Sequence, residues 1–246
     1  MSAREFVVRG LLSGLLAGFA AFVAAVVFGE SAVSAAIALE DATGHHSGAD
    51  AVVPRWLQAS AGLLTGTVAA GAALGGLVGV LVALAWGRLG RLGARATTLS
   101  VTAMAFVAID LVPFVAYPPN PPGVGREETI DQRTALYFVL MAISVIAAIA
   151  AVLLGRRAAR RWGSWYAALA AVSGYLVVMA AVIGLMPSYD EVPFSFPANL
   201  LYEFRLASFG TRLTLWLVLG VVLAELTYRL SRRGEPADTT LATTAV

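Results

Sequence analysis

Tyr117-Pro118-Pro119-Asn120-Pro121-Pro122-Gly123-Val124-Gly125-Arg126-Glu127-Glu128-Thr129-Ile130-Asp131-Gln132-Arg133-Thr134-Ala135-Leu136-Tyr137-Phe138 interrupts a chain otherwise dominated by Ala, Val, Leu and Gly. Proline removes the backbone donor and fixes φ, so 117–122 is neither helix interior nor central strand. The run reads as a stiff extended turn, followed by a charged approach to the next apolar run. Long apolar runs lie on both sides, so the segment is expected to be a rigid hydrophilic loop between two membrane helices.

The bulk numbers agree. Of 246 residues 59% are hydrophobic and only 13% charged, with mean hydropathy +0.80; soluble domains carry roughly 25% charged residues. Continuous apolar runs of about 20 residues point to helices rather than the alternating strands of a barrel. The expected fold is all-α, a polytopic transmembrane bundle, as one domain over 1–233. Six spans are expected, at about 6–29, 60–86, 97–116, 134–154, 165–186 and 211–230, with a disordered cytoplasmic tail over 234–246. The first span reads as retained, not as a cleaved signal.

Every basic residue is Arg. Arg4, Arg9, Arg88, Arg91, Arg95, the four between Arg156 and Arg161, Arg229, Arg232 and Arg233 fall on one side of this topology, which puts both termini inside. Most acids fall on the other side, among them Glu30, Glu40, Glu127, Glu128, Asp131, Asp190, Glu191 and Glu203. That bias would attract a cation; the plainer reading is that acids solvate the loops.

Absences narrow the chemistry. Without Cys, thiolate metal sites and thiol catalysis are excluded. No Walker A motif, dinucleotide fingerprint or nucleophile elbow occurs, so neither an ATPase motor nor an enzyme is expected. The small net charge of +2, with arginines at membrane boundaries, argues against nucleic acid as partner. No permanently bound cofactor is expected.

Several residues stand out within this frame. Asp110 lies in the third span, and an intramembrane acid is either functional or paired with an arginine. Adjacent His45 and His46 could share a metal, or be plain loop residues. Glu225 has Arg229 at i+4, which explains it as a helix-surface pair. Gly10, Gly14 and Gly18, with Gly62, Gly66, Gly71, Gly75 and Gly79, place small residues along one face of each of the first two spans, for close packing. Residues 200–206 read as a short interfacial amphipathic helix. The second-third and fourth-fifth span pairs resemble each other as hairpins around basic turns, a faint internal repeat.

The two proline-rich loops carry a family resemblance. Tyr117 to Gly125 with Arg133-Thr134-Ala135-Leu136-Tyr137-Phe138, Leu111-Val112-Pro113-Phe114, Asp190-Glu191-Val192-Pro193 with Phe196-Pro197-Ala198, and Glu203-Phe204-Arg205-Leu206-Ala207-Ser208-Phe209-Gly210 resemble the CbtA family. Gly29-Glu30 and Ile37-Ala38-Leu39-Glu40 fit it too. The resemblance implies the membrane subunit of a cobalt uptake system linked to cobalamin synthesis, in a bacterial plasma membrane. It also implies a small single-span CbtB-like partner with a His-rich end, and five spans where the residues suggest six.

Cobalt, as the substrate, accepts carboxylate and imidazole ligands. Asp110, Glu30, Glu40, His45, His46, Glu191 and Glu203 are therefore the candidate cation-path residues. Arg133, Arg205, Pro121, Pro122 and Gly123 are the candidate loop braces. Ligand and brace remain alternatives for the acids. A non-transporting scaffold that binds a partner protein is the competing function.

Overall fold

A computed structural model describes residues 2–42, 54–89 and 92–233. His45, His46, Arg91 and the tail over 234–246 lie outside the described residues. Among the described residues every regular element is helical. Of the helices among these residues, five are long and apolar enough to cross a membrane: α1 (Ala3–Ala42), α2 (Arg55–Ala85), α3 (Ala94–Ala116), α4 (Ile130–Leu185) and α5 (Ala198–Arg233).

The difference from six spans lies in α4. Its 56 residues contain one non-helical position, Gly163, at φ 77° and ψ 160°. Beyond it the chain folds back. Ser144 and Tyr175 hydroxyls are 2.7 Å apart, Leu140 and Met179 share a core with Val112, and Gly155 faces Ala171. The two legs of α4 are therefore antiparallel. Only glycine adopts that backbone conformation without strain.

A second difference concerns the segment expected to be a separate interfacial helix. Residues 200–206 are continuous with α5. Gly210 alone does not end the helix, because a single helical glycine costs only about 1 kcal/mol against alanine.

The described chain forms two compact units. The described residues of the first fall within 2–23, 56–103 and 213–233. Its α1 and α2 cross antiparallel with backbones nearly touching. A Cβ built on Gly10 would lie 2.2 Å from the Gly75 carbonyl oxygen, and one on Gly14 would lie 2.1 Å from that of Gly71. Gly79 meets Phe6 in the same way, whereas Gly66 has open space around it. The small-residue face of α2 thus begins at Gly71, not at Gly62. Leucine-sized side chains would hold the helices apart; glycine lets dispersion between backbones act at short range. Val78, Val82, Leu219 and Leu223 are fully buried. Near the end of α5, Glu225 accepts from both Arg229 (2.8 Å) and Arg95 (2.7 Å), and Arg95 also lies over the Tyr228 ring. The i+4 pair explains only part of Glu225's environment, since Arg95 is remote in sequence.

The second unit comprises Ala24–Arg55 and Met104–Arg212. It holds both proline-rich loops, the α4 hairpin and the first turns of α5. Among the described residues π-helical turns occur in this unit at Ala25–Gly29 and Val107–Leu111, and in the first unit at Gln58–Gly62. Such turns widen the helix locally and re-aim its side chains.

Candidate functional site: a loop cleft and its arginine–carboxylate pairs

The π-turn in α3 includes Asp110, whose side chain is 12% exposed. Arg212 Nη1 of α5 donates to Asp110 Oδ1 at 2.6 Å. Arg212 also lies beside Tyr137 and, 5.7 Å away, the Phe114 ring. A carboxylate removed from water needs such a partner, because an unpaired buried charge costs several kcal/mol.

Glu191 sits in the loop between α4 and α5, with its side chain 6% exposed. Its carboxylate accepts from the Thr129 hydroxyl, the Arg126 backbone N–H at 3.1 Å and Arg133 Nη1 at 2.7 Å. The Thr129 hydrogen bond leads in holding its pKa below the ordinary 4.5; the Arg126 N–H and the Arg133 charge act the same way, against partial desolvation. Glu191 thereby ties the second loop to the first. Arg205 donates to the Pro119 carbonyl at 3.4 Å and to Asn120 Oδ1 at 3.0 Å, and the Tyr117 hydroxyl donates to the Pro187 carbonyl at 3.0 Å.

Prolines fix the same loop from within. Pro121 is fully buried, and its carbonyl accepts from Val124 N–H at 3.2 Å. Gly123 follows at φ 74°, where the Glu40 side chain packs against it. A side chain there would meet both backbone strain and Glu40.

Glu30 directly follows the π-turn of α1. It accepts from Arg55 Nη2 at 2.6 Å and from the Ser34 hydroxyl at 3.2 Å. Among the described residues the Arg55 Nε is buried without a hydrogen-bond partner.

Between the loops lies a cleft of about 530 Å³. Among the described residues Glu40, Asp190 and Glu191 contribute its acids, Arg126 its cation, and Pro122 and Phe196 part of its apolar wall. The structure therefore brings together Glu40 and Glu191 from the sequence candidates. It does not bring Asp110 or Glu30 into this cleft, and Glu203 is exposed on α5 outside it. Thr129 and the Arg126 N–H escaped the sequence reading. A Thr one residue before a helix carries no mark of its distant partner, and a backbone donor carries none at all. Arg212 was legible only as one of several arginines available to Asp110.

Among the described residues, no three His, Asp or Glu side chains are close enough to hold a metal ion together. The cleft can attract a cation through its charge. It does not present a closed coordination shell of the kind resident metals require.

No curated protein and no solved structure matches the chain. A family model does, over residues 3–228, and its description is probable cobalt transporter subunit (CbtA). With that match covering both proline-rich loops and reaching into all five long apolar helices, the chain belongs to the CbtA family of probable cobalt transporter subunits.

Proposed function

We propose that the chain is the membrane-embedded subunit of a cobalt uptake system that supplies cobalamin synthesis, with the loop cleft as the entry mouth for the divalent cation. The arginine distribution supports a topology with both termini inside and the two loops outside. The antiparallel legs of α4 support six crossings, in a bacterial plasma membrane. The chain then acts with a small single-span subunit bearing a His-rich end, which supplies the tighter metal site.

The observation that carries this reading is the cleft itself. Three separate stretches, ending α1, following α3 and following α4, contribute to one acidic mouth. Glu191 is committed to Thr129, Arg126 and Arg133, so it shapes the mouth. Glu40 and Asp190 complete the negative charge of the mouth, and that charge draws in the ion. A weak, open site suits entry, because conduction requires that the ion also leave.

One observation favours the scaffold reading instead. Asp110, the intramembrane acid, is held by Arg212, as are Glu30 by Arg55 and Glu191 by Arg133. Acids spent in such pairs brace a structure rather than carry an ion.

The test is radiolabelled cobalt uptake by cells lacking other importers, expressing the chain with its small partner. Uptake that requires the chain and falls in Glu40→Gln/Asp190→Asn supports entry through the cleft. Uptake that requires the chain but ignores that double variant moves entry elsewhere. Uptake by the partner without the chain overturns the permease reading.

A further inference from the structure

We propose that the turn of α4 is a binding site for an anionic phospholipid, with its headgroup on Arg157 and Arg161 and an acyl chain in the groove beside them. The α4 legs are the least buried of the five long helices, with only 11% of the most apolar window inside the fold. Between the legs runs an open groove of about 500 Å³, lined by Ala147, Ala151, Ala158, Ala171, Gly174 and, at the turn, Trp162. Its walls are mostly alanine and glycine, with Leu154, Tyr175 and Val178 among them, which leaves a channel where a run of larger side chains would interdigitate.

Charge complementarity decides the occupant. Arg156, Arg157, Arg160 and Arg161 are all exposed, and among the described residues none has a hydrogen-bond or ion-pair partner. No Asp or Glu occurs between Gln132 and Tyr189, so neither leg offers a counter-charge. Trp162, Trp165 and Tyr166 are each more than 60% exposed around the same turn, and aromatic side chains of this kind settle at headgroup depth. Arginine favours phosphate because its planar fork donates two hydrogen bonds at once.

Helical spacing divides the four arginines. Residues three or four apart share a helix face, and residues two apart do not. Arg157 is three from Leu154 and Arg161 is three from Ala158, both groove-lining positions. Arg156 and Arg160 are each two from a groove-lining residue, Leu154 or Gly155 being next to or two before Arg156, and Ala158 two before Arg160. The first pair flanks the groove; the second faces away. A diffuse basic surface would use all four alike. A single site uses only the flanking pair, together with the groove.

The experiment is native mass spectrometry of the purified full chain, titrated with phosphatidylglycerol and with phosphatidylcholine. Expected is tighter binding of phosphatidylglycerol, weakened on the order of tenfold in Arg157→Gln/Arg161→Gln and unchanged in Arg156→Gln/Arg160→Gln. Ala151→Leu, which fills the groove without touching an arginine, also weakens it, and inorganic phosphate does not compete. Circular dichroism and size-exclusion profiles identify any variant that fails to fold. Equal loss in the two arginine pairs, or equal affinity for both lipids, overturns the site. Full binding in Ala151→Leu overturns the acyl groove.

Discussion

Asp110 Oδ1 and Arg212 Nη1 lie 2.6 Å apart although 102 residues separate them in sequence. The pair joins α3 at its π-turn to α5, and Asp110 is the more deeply buried partner. Removing either charge strands the other. Asp110→Ala and Arg212→Ala are each expected to cost about 2 kcal/mol, between the values for exposed and buried pairs. The double variant is expected to cost less than the sum. A double-mutant cycle on thermal unfolding in detergent measures this coupling; additive losses would show that the pair contributes no mutual stabilisation.

Glu191 gives the loops a pH dependence. Its folded pKa lies below the ordinary 4.5, led by the Thr129 hydrogen bond. The stabilisation is therefore fully present above 4.5 and is lost as pH falls through the lowered folded value. Hydrogen exchange across 117–129 and 186–197 should rise as pH is stepped down from neutrality past 4.5, after correction for intrinsic rates. Glu191→Gln should exchange fast throughout, with the step abolished. A step that persists in that variant would assign it to another group.

Much of this architecture was legible from the residues. Continuous apolar runs gave helices, and the spacing of Gly10, Gly14 and Gly18 marked a close-packed face. Proline placement marked the rigid loop, and the same loops carried the family resemblance. What escaped was long-range pairing. The partner of Asp110 is set by where α3 and α5 meet, and any of several arginines satisfied the local requirement. The start of the glycine face was also ambiguous, because Gly62 and Gly66 precede Gly71 at nearly the same spacing. Position along the crossing, not residue type, separates them. The continuity of 200–206 with the last helix was hidden because an amphipathic stretch beside an apolar run looks the same whether or not the chain bends between them.

That distinction within α2 is testable. A Cβ on Gly75 would lie 2.2 Å from the Gly10 carbonyl oxygen and 2.7 Å from Gly14 Cα, both backbone atoms that cannot rotate away. Gly75→Ala must push α1 and α2 apart, opening the contact along its length. The expected loss is about 2 kcal/mol, in the range of overpacked cores. Gly66→Ala meets nothing within 4 Å and should be neutral or slightly stabilising, since alanine is the better helix former. Paired melting curves of the two variants decide the matter; equal destabilisation would place the tight contact elsewhere.

The reversal at Gly163 can be read by cross-linking. The chain has no cysteine, so an engineered pair reports without background. A Cβ at Gly155 would stand 3.0 Å from the Ala171 Cβ, close to the roughly 3.5–4.5 Å that a disulfide spans. Gly155→Cys/Ala171→Cys should therefore oxidise readily within one chain, as antiparallel legs require. Residues 155 and 171 of an unbroken helix would lie about 24 Å apart at 1.5 Å per residue, and no intrachain bond could form. Adding Gly163→Ala places a Cβ at φ 77°, at a cost of about 1–3 kcal/mol. Cross-linking should then slow because the hairpin opens more often. Rapid cross-linking in the parent pair and unchanged kinetics with Gly163→Ala would keep the hairpin but remove the glycine as its cause.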